Sequence, residues 1–271
     1  MTMPPPTPKS APKSPPSTPI ASSCTVRGTT SPTLRRVDVL ALIAAEPRRA
    51  ALFLDVDGVL APIAARPEEA SVPAETRHEL ERLVPRYGLV ACVTGRPGDT
   101  ARELVGVDGI RYVGEHGLEL EPEAGAFAAR IRAFADRVAR PDTERKPLSL
   151  AFHYRTAPDR DAARAELEGV ARDALDEGLR TRWGRLVLEV LPPVEATKGT
   201  AVRRLLEEST LRRGLYAGDD RTDLDGFAAL DGLEAAVRVA VVSGEGPAEL
   251  RAQADVLVGS PEAFRELLQR L

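Results

Sequence analysis

Five short and almost wholly apolar runs recur along the chain: Ala51–Asp55 (ALFLD), Gly88–Val93, Ile110–Gly114, Gly214–Gly218 and Arg238–Val242. Each is bounded by Gly or polar residues and lacks the apolar–polar alternation of a half-exposed strand. The pattern predicts strands buried on both faces. Helical spacing of apolar positions falls between them, at about 73–85, 99–106, 198–209, 222–230 and 261–270, and Thr100-Ala-Arg-Glu103 reads as a capping box opening the second. Strands alternating with helices predict an α/β fold, a Rossmann-like parallel sheet covered on both faces. The stretch 121–192 breaks this rhythm. It reads as a helix (about 125–139), a strand ending in His153-Tyr154-Arg155, a helix (about 160–176) and the strand Arg185–Leu191. We expect a small α+β domain over 121–192, inserted into a core made of 34–120 and 193–271.

Composition narrows the setting. The chain has 271 residues, 43% hydrophobic and 29% charged, enough for a sizeable core. Residues 1–33 differ: 22 of them are Pro, Ser or Thr, and no acid precedes Asp38. Such a segment has little to bury and is expected to be disordered, as a basic tail or a plain extension. Arg35-Arg36 ahead of an apolar stretch faintly resembles a twin-arginine signal. That stretch, however, carries Asp38 and runs into the first core strand. No run approaches the roughly 18–20 apolar residues of a membrane span, so no membrane crossing is expected. A net charge of −4 argues against a nucleic-acid partner. The two cysteines, Cys24 and Cys92, exclude a disulfide scaffold, and a cytoplasmic protein is expected. The four lysines are outnumbered by 33 arginines, and only Lys146 and Lys198 lie outside the tail.

Four constellations carry candidate chemistry. Asp55-Val56-Asp57-Gly58 follows the first strand; residues two apart face one side, so both carboxylates can reach a site beyond its carboxyl end. A calcium loop does not fit, because no helix precedes it and Leu60 stands where that loop needs glycine. Val93-Thr94-Gly95-Arg96 ends another strand, where a hydroxyl and backbone N–H groups can hold a phosphate oxygen, or form an ordinary turn. Lys198 opens a helix, where a cation is misplaced by roughly 0.3–1 kcal/mol unless an anion sits beside it. Asp219, Asp220 and Asp223 crowd one strand end. They form either a solvated acidic turn or, converging with Asp55 and Asp57, a site of hard oxygens suited to Mg²⁺.

The order of these motifs, each at a strand end or helix start, resembles the haloacid dehalogenase-like (HAD) phosphatases, with the insert where that superfamily carries C2-type caps. DVDGVLAPI at 55–63, Gly114-Glu115-His116-Gly117, Lys146 with His153-Tyr154-Arg155, Glu189-Val190, Lys198-Gly199 and GDDRTDLDGF at 218–227 are similar to the trehalose-6-phosphate phosphatase family. Val59, Thr94 and Leu224 depart from its commoner Thr, Ser and acid. The resemblance implies hydrolysis of a small-molecule sugar phosphate. Asp55 would be the nucleophile and Asp57 the acid and base, with Thr94 and Lys198 on the phosphoryl oxygens. Mg²⁺ would be held by Asp55, the Asp57 carbonyl and Asp219, with Asp220 or Asp223 close by. Arg96, Glu115, His116, Lys146, His153, Arg155, Glu189 and Asp223 would contact substrate. A trehalose-6-phosphate synthase would be the associated protein partner. Another C2-capped sugar phosphatase and a non-catalytic subunit of a trehalose-synthesising complex remain as alternatives. Period two puts Leu148, Leu150, Phe152 and Tyr154 on one face of the cap strand, and Ser149, Ala151, His153 and Arg155 on the other. The cap would pivot near 118–122 and 190–195.

Overall fold

The computed structural model describes residues 25–26, 38–64, 66–141, 143–184, 186–242 and 246–271. Its strands are β1 Thr25–Val26, β2 Ala50–Leu54, β3 Leu89–Val93, β4 Arg111–Val113, β5 Thr143–Arg145, β6 Leu150–His153, β7 Arg180–Gly184, β8 Val187–Leu191, β9 Arg213–Gly218, β10 Ala235–Val241 and β11 Val256–Val258. Its helices are α1 Ala41–Ala44, α2 Ala74–Leu83, α3 Gly98–Val105, α4 Ala128–Val138, α5 Arg160–Asp176, α6 Lys198–Ser209, α7 Asp223–Ala228, α8 Ala248–Gln253 and α9 Pro261–Leu268. The expectation of disorder over 1–33 lies outside the described residues, apart from β1. That strand adds antiparallel to the edge strand β11.

The core sheet runs β1-β11-β10-β9-β2-β3-β4, parallel except for β1. The continuous apolar run of β2 has a direct cause. Ala50, Leu52 and Leu54 join one core cluster with Ile43, Leu80, Val105 and Phe264, while Ala51 and Phe53 join another with Val202, Phe227 and Leu250. Alternate residues therefore enter opposite layers, and both faces are covered. β2 and β9 lie side by side at the centre, so their carboxyl ends bring Asp55 and Asp219 together.

The second sheet is antiparallel, β5-β6-β8-β7, with α4 and α5 packed on one face. Leu150, Phe152 and Tyr154 enter that apolar layer, whereas Ser149 and His153 turn to the core domain, as the period-two pattern predicts. Trp183 packs against the same layer, edge-on to Tyr154. β5, β7 and β11 are strands that the hydrophobic pattern does not announce. β5 and β7 are short edge strands rich in charge (TER and RTRWG), which hides them from an apolar-run criterion. Among the described residues, no helix is long and apolar enough to cross a membrane.

One local expectation is corrected. Thr100-x-x-Glu103 is not a capping box: α3 begins at Gly98 after Pro97, with no side-chain cap from within the segment. Its first N–H is met instead by the Glu119 carboxylate, which accepts from Gly98 (2.7 Å) and from Gly114 (2.8 Å). The capping box belongs to α6, where Thr197 and Thr200 exchange side-chain to backbone bonds of 3.2 and 2.9 Å.

Candidate active site

Four segments ending at the carboxyl edge of the core sheet build the site. The first carries Asp55, one residue beyond β2 and buried, with Oδ2 2.6 Å from Lys198 Nζ. Lys198 is the first residue of α6 and only 2% exposed; its ammonium also donates to Asp223 Oδ1 at 2.7 Å. The anion that a first-turn cation calls for is thus supplied by the protein's own carboxylates. Asp223 is wholly buried and saturated. Its Oδ1 also accepts from Tyr216 O–H (2.8 Å), and its Oδ2 from the N–H groups of Asp219 and Asp220 (2.9 Å each). Both of its oxygens are thus engaged by the protein's own donors, Lys198, Tyr216 and the acidic turn, rather than turned toward the cleft between the domains.

Asp55, Asp219 and Asp223 offer carboxylate oxygens within 4.8 Å of one another, all three buried. Asp220 stands outside that group and turns its Oδ1 to the Arg221 N–H (2.7 Å). Three buried carboxylates face one ammonium, and the imbalance is felt. Burial, then the neighbouring carboxylates Asp55 and Asp223, push Asp219 up to about 9. Burial, opposed by Lys198 and reinforced by Asp223, pushes Asp55 up to about 7. Burial disfavours the charge of Lys198, but Asp223 and Asp55 outweigh it and hold the ammonium firmly protonated. A hard-oxygen cluster short of positive charge fits a divalent cation. Gly58 makes room for the Asp219 carboxylate. With φ at +79°, a Cβ there would lie 2.2 Å from Asp219 Oδ2.

Asp57 points the other way, into the cleft between the two sheets. Arg96 grips it with both arms, Nε to Oδ2 at 2.7 Å and Nη2 to Oδ1 at 2.8 Å, and reaches the Pro67 carbonyl with Nη1 at 2.9 Å. Thr94 is buried, and its Oγ1 accepts the Arg96 N–H at 3.2 Å. The Gly114–Gly117 turn is stitched onto this loop: Glu115 N–H donates to the Arg96 carbonyl and His116 N–H to the Thr94 carbonyl, both at 2.8 Å. Glu115 and His116 both adopt positive φ (48° and 56°), a strained pair that aims their side chains at the inserted domain.

There the two domains meet in a buried polar network. Glu115 accepts Leu148 N–H (3.0 Å) and Ser149 O–H (2.5 Å); burial raises its pKa. Lys146 donates to the Gly95 carbonyl (2.8 Å) and lies 3.6 Å from Glu189. Glu189 is paired with Arg182 (2.7 Å) and lies 3.5 Å from His116 Nε2. Burial would raise Glu189, but His116, Lys146 and Arg182 hold it well below the carboxylate range. Burial drives His116 down to about 4, so its ring is neutral. His153 bonds Glu144 at 2.9 Å, and His153, Arg155, Glu144, Lys146, Arg96 and Asp57 line one compartment. Sequence reasoning missed Glu144, Arg182, Arg66 and Pro67, which sit on short edge strands or an irregular loop without a motif. No apolar pattern singles out Arg182, because β7 reads Arg-Thr-Arg-Trp-Gly. The two crossings between domains are each tied to an arginine, Leu120 by Arg204 and Val194 by Arg180 (2.9 Å).

A parallel sheet with an acidic cluster at its carboxyl edge and an inserted antiparallel cap is the architecture of the HAD-like fold. A solved HAD-like hydrolase from Bacteroides thetaiotaomicron shares this fold, with a TM-score of 0.53 at 16% identity over 82% of this chain and 97% of that one. A solved trehalose-6-phosphate phosphatase related protein is nearer, with a TM-score of 0.66 at 25% identity over 81% of this chain and 96% of that one. The chain matches the model of the trehalose-phosphatase family over residues 53–129 and 126–257, and it belongs to that family. The trehalose-phosphate phosphatase of Mycobacterium marinum is 33% identical over 67% of this chain. The chain spans about half the length of that relative, 52%, and 61% of a probable trehalose-phosphate phosphatase from Oryza sativa subsp. japonica.

Proposed function

We propose that the chain hydrolyses trehalose 6-phosphate to trehalose and phosphate, the ester that a trehalose-6-phosphate synthase would supply. The observation that carries this reading is the divergence of Asp55 and Asp57. One carboxylate is buried against Lys198 and the acidic cluster, and the other, two residues on, faces an inter-domain cleft lined by Lys146, His153 and Arg155. In this reading the Asp55 carboxylate attacks phosphorus, and the bond to the sugar oxygen breaks as Asp57 gives that oxygen a proton. Asp57 then takes a proton from water, whose oxygen attacks the aspartyl phosphate, releasing phosphate and restoring Asp55. Lys198 and Thr94 hold the phosphoryl oxygens as charge shifts. Arg96, which grips Asp57, would be drawn onto the incoming phosphoryl oxygens and so free Asp57 to move its proton.

Asp55, Asp219 and the Asp57 carbonyl would hold Mg²⁺, with Asp223 beside them. When bound, the ion neutralises charge on carboxylate and phosphate. Hydroxyl-rich, uncharged sugars suit the imidazole, carboxylate and guanidinium groups of the cap cleft. A phosphate-release panel with Mg²⁺ tests the proposal. Trehalose 6-phosphate should outrun sucrose phosphate and mannosyl-phosphoglycerate, and Asp55→Asn should abolish release while preserving the circular-dichroism spectrum. Faster turnover of either rival ester refutes the assignment, and no release from any of them would point to a non-catalytic subunit.

A further inference from the structure

The compartment beside Asp57 is small, about 200 Å³. A groove of about 860 Å³ between α3 and the cap adjoins it, and the two share Arg66, Pro67, Arg96, Glu144, His153 and Arg155 in their walls. A third cavity, about 680 Å³, lies at the same domain junction but shares no lining residue with the Asp57 compartment. The ion pairs Lys146–Glu189–Arg182 stand between them: Lys146 lines the compartment at Asp57 and Arg182 lines the third cavity.

Clefts that enclose whole small-molecule ligands run to roughly 300–1,000 Å³. The Asp57 compartment is below that range, so it takes the phosphorylated end of a disaccharide and not both rings. The adjoining groove is within the range and lies on the Asp57 side of the buried ion pairs. Its core-side wall is one face of α3, where Thr100, Glu103 and Leu104 recur at helical spacing while Ala101 and Val105 enter the core. A hydroxyl and a carboxylate exchange hydrogen bonds with sugar hydroxyls. Leu104, with Pro141 opposite, offers an apolar strip to the C–H face of a ring.

We infer that the second ring of the leaving disaccharide lies in this groove, and that Thr100 and Glu103 are specificity-determining residues that favour a disaccharide ester over a monosaccharide ester. The inference rests on the proposed hydrolysis of trehalose 6-phosphate. Both side chains are exposed on a helix surface and neither contacts Asp55, Asp57 or Lys198, so large substitutions there are compatible with folding.

The experiment compares kcat/KM on trehalose 6-phosphate and on glucose 6-phosphate for the wild type, Thr100→Trp, Glu103→Trp and, on the far cavity, Thr181→Trp. Filling the groove should lower the disaccharide-to-monosaccharide ratio by about tenfold or more in the two α3 variants, while Thr181→Trp keeps the wild-type ratio. Ratios within about twofold of wild type in both α3 variants overturn the inference, and a fall confined to Thr181→Trp would move the ring to the other cavity. A wild-type protein that releases phosphate from glucose 6-phosphate but not from trehalose 6-phosphate fails the proposed function itself, before any variant is compared.

Discussion

Replacing Lys198 with Met keeps the stem and deletes the ammonium that two buried carboxylates share. Lys198 is 2% exposed, with Asp55 at 2.6 Å and Asp223 at 2.7 Å. Asp223 keeps Tyr216 and two backbone N–H groups, so the burden falls on Asp55, which keeps the Val56 N–H at 2.7 Å. Removing one partner of a buried pair costs about 3–5 kcal/mol. For a chain of this size that is roughly 6–20 °C in Tm. The cost must depend on pH. Asp55 is already raised to about 7 with Lys198 in place, and Lys198 is what opposes burial there. Without it the pKa rises further, the folded state holds a proton that the unfolded chain releases near 4, and stability falls as pH rises. Thermal melts in EDTA should show a small deficit at pH 5.5 and the full one at pH 8.5. Asp55→Asn in the same chain should recover part of the loss, because a neutral amide needs no counter-charge. Equal deficits at both pH values, with no recovery in the double variant, would refute the pairing.

Three further outcomes follow from the same geometry. His116, pushed down to about 4 by burial against an unfolded value near 6.5, contributes stability that is complete above pH 6.5 and lost as pH falls toward 4, up to about 3 kcal/mol; His116→Asn should flatten that slope in urea melts, and an unchanged slope would count against a buried neutral ring. Gly58→Ala drives a Cβ to 2.2 Å from Asp219 Oδ2 at φ +79°, so it should weaken the stabilisation by Mg²⁺ and lower Tm; a wild-type response to Mg²⁺ would show that Asp219 is not displaced. Cys92 is buried on β3 and its thiol is raised by burial, so in a Cys24→Ser background a thiol reagent should label the protein only after denaturant is added.

The core strands were legible because burial on both faces leaves continuous apolar runs, and the observed β2, β3, β4 and β9 lie within a residue or two of those runs. The motif carboxylates were legible for a related reason: an acid directly after such a run has no place in either layer and must face the edge of the sheet. The charged edge strands β5 and β7 left no comparable trace, and with them went Glu144 and Arg182. Glu119 capping α3 from 21 residues away was equally hidden. Local spacing put Thr100 and Glu103 in a capping role that their side chains do not take; they line a groove instead.

By itself the sequence determined the layered α/β core, the inserted cap, the period-two division of β6 and which residue types could do chemistry. These follow from hydrophobic periodicity, which is a property of neighbours along the chain. Tertiary structure alone decided the arrangement within the site. It buried Asp223 among donors of the protein's own, left Asp220 outside the acidic cluster, gave Lys198 a carboxylate on either side and turned Asp57 away into the grip of Arg96. Those outcomes depend on which charges share one low-dielectric space, and on residues up to 168 positions apart, such as Asp55 and Asp223, meeting there.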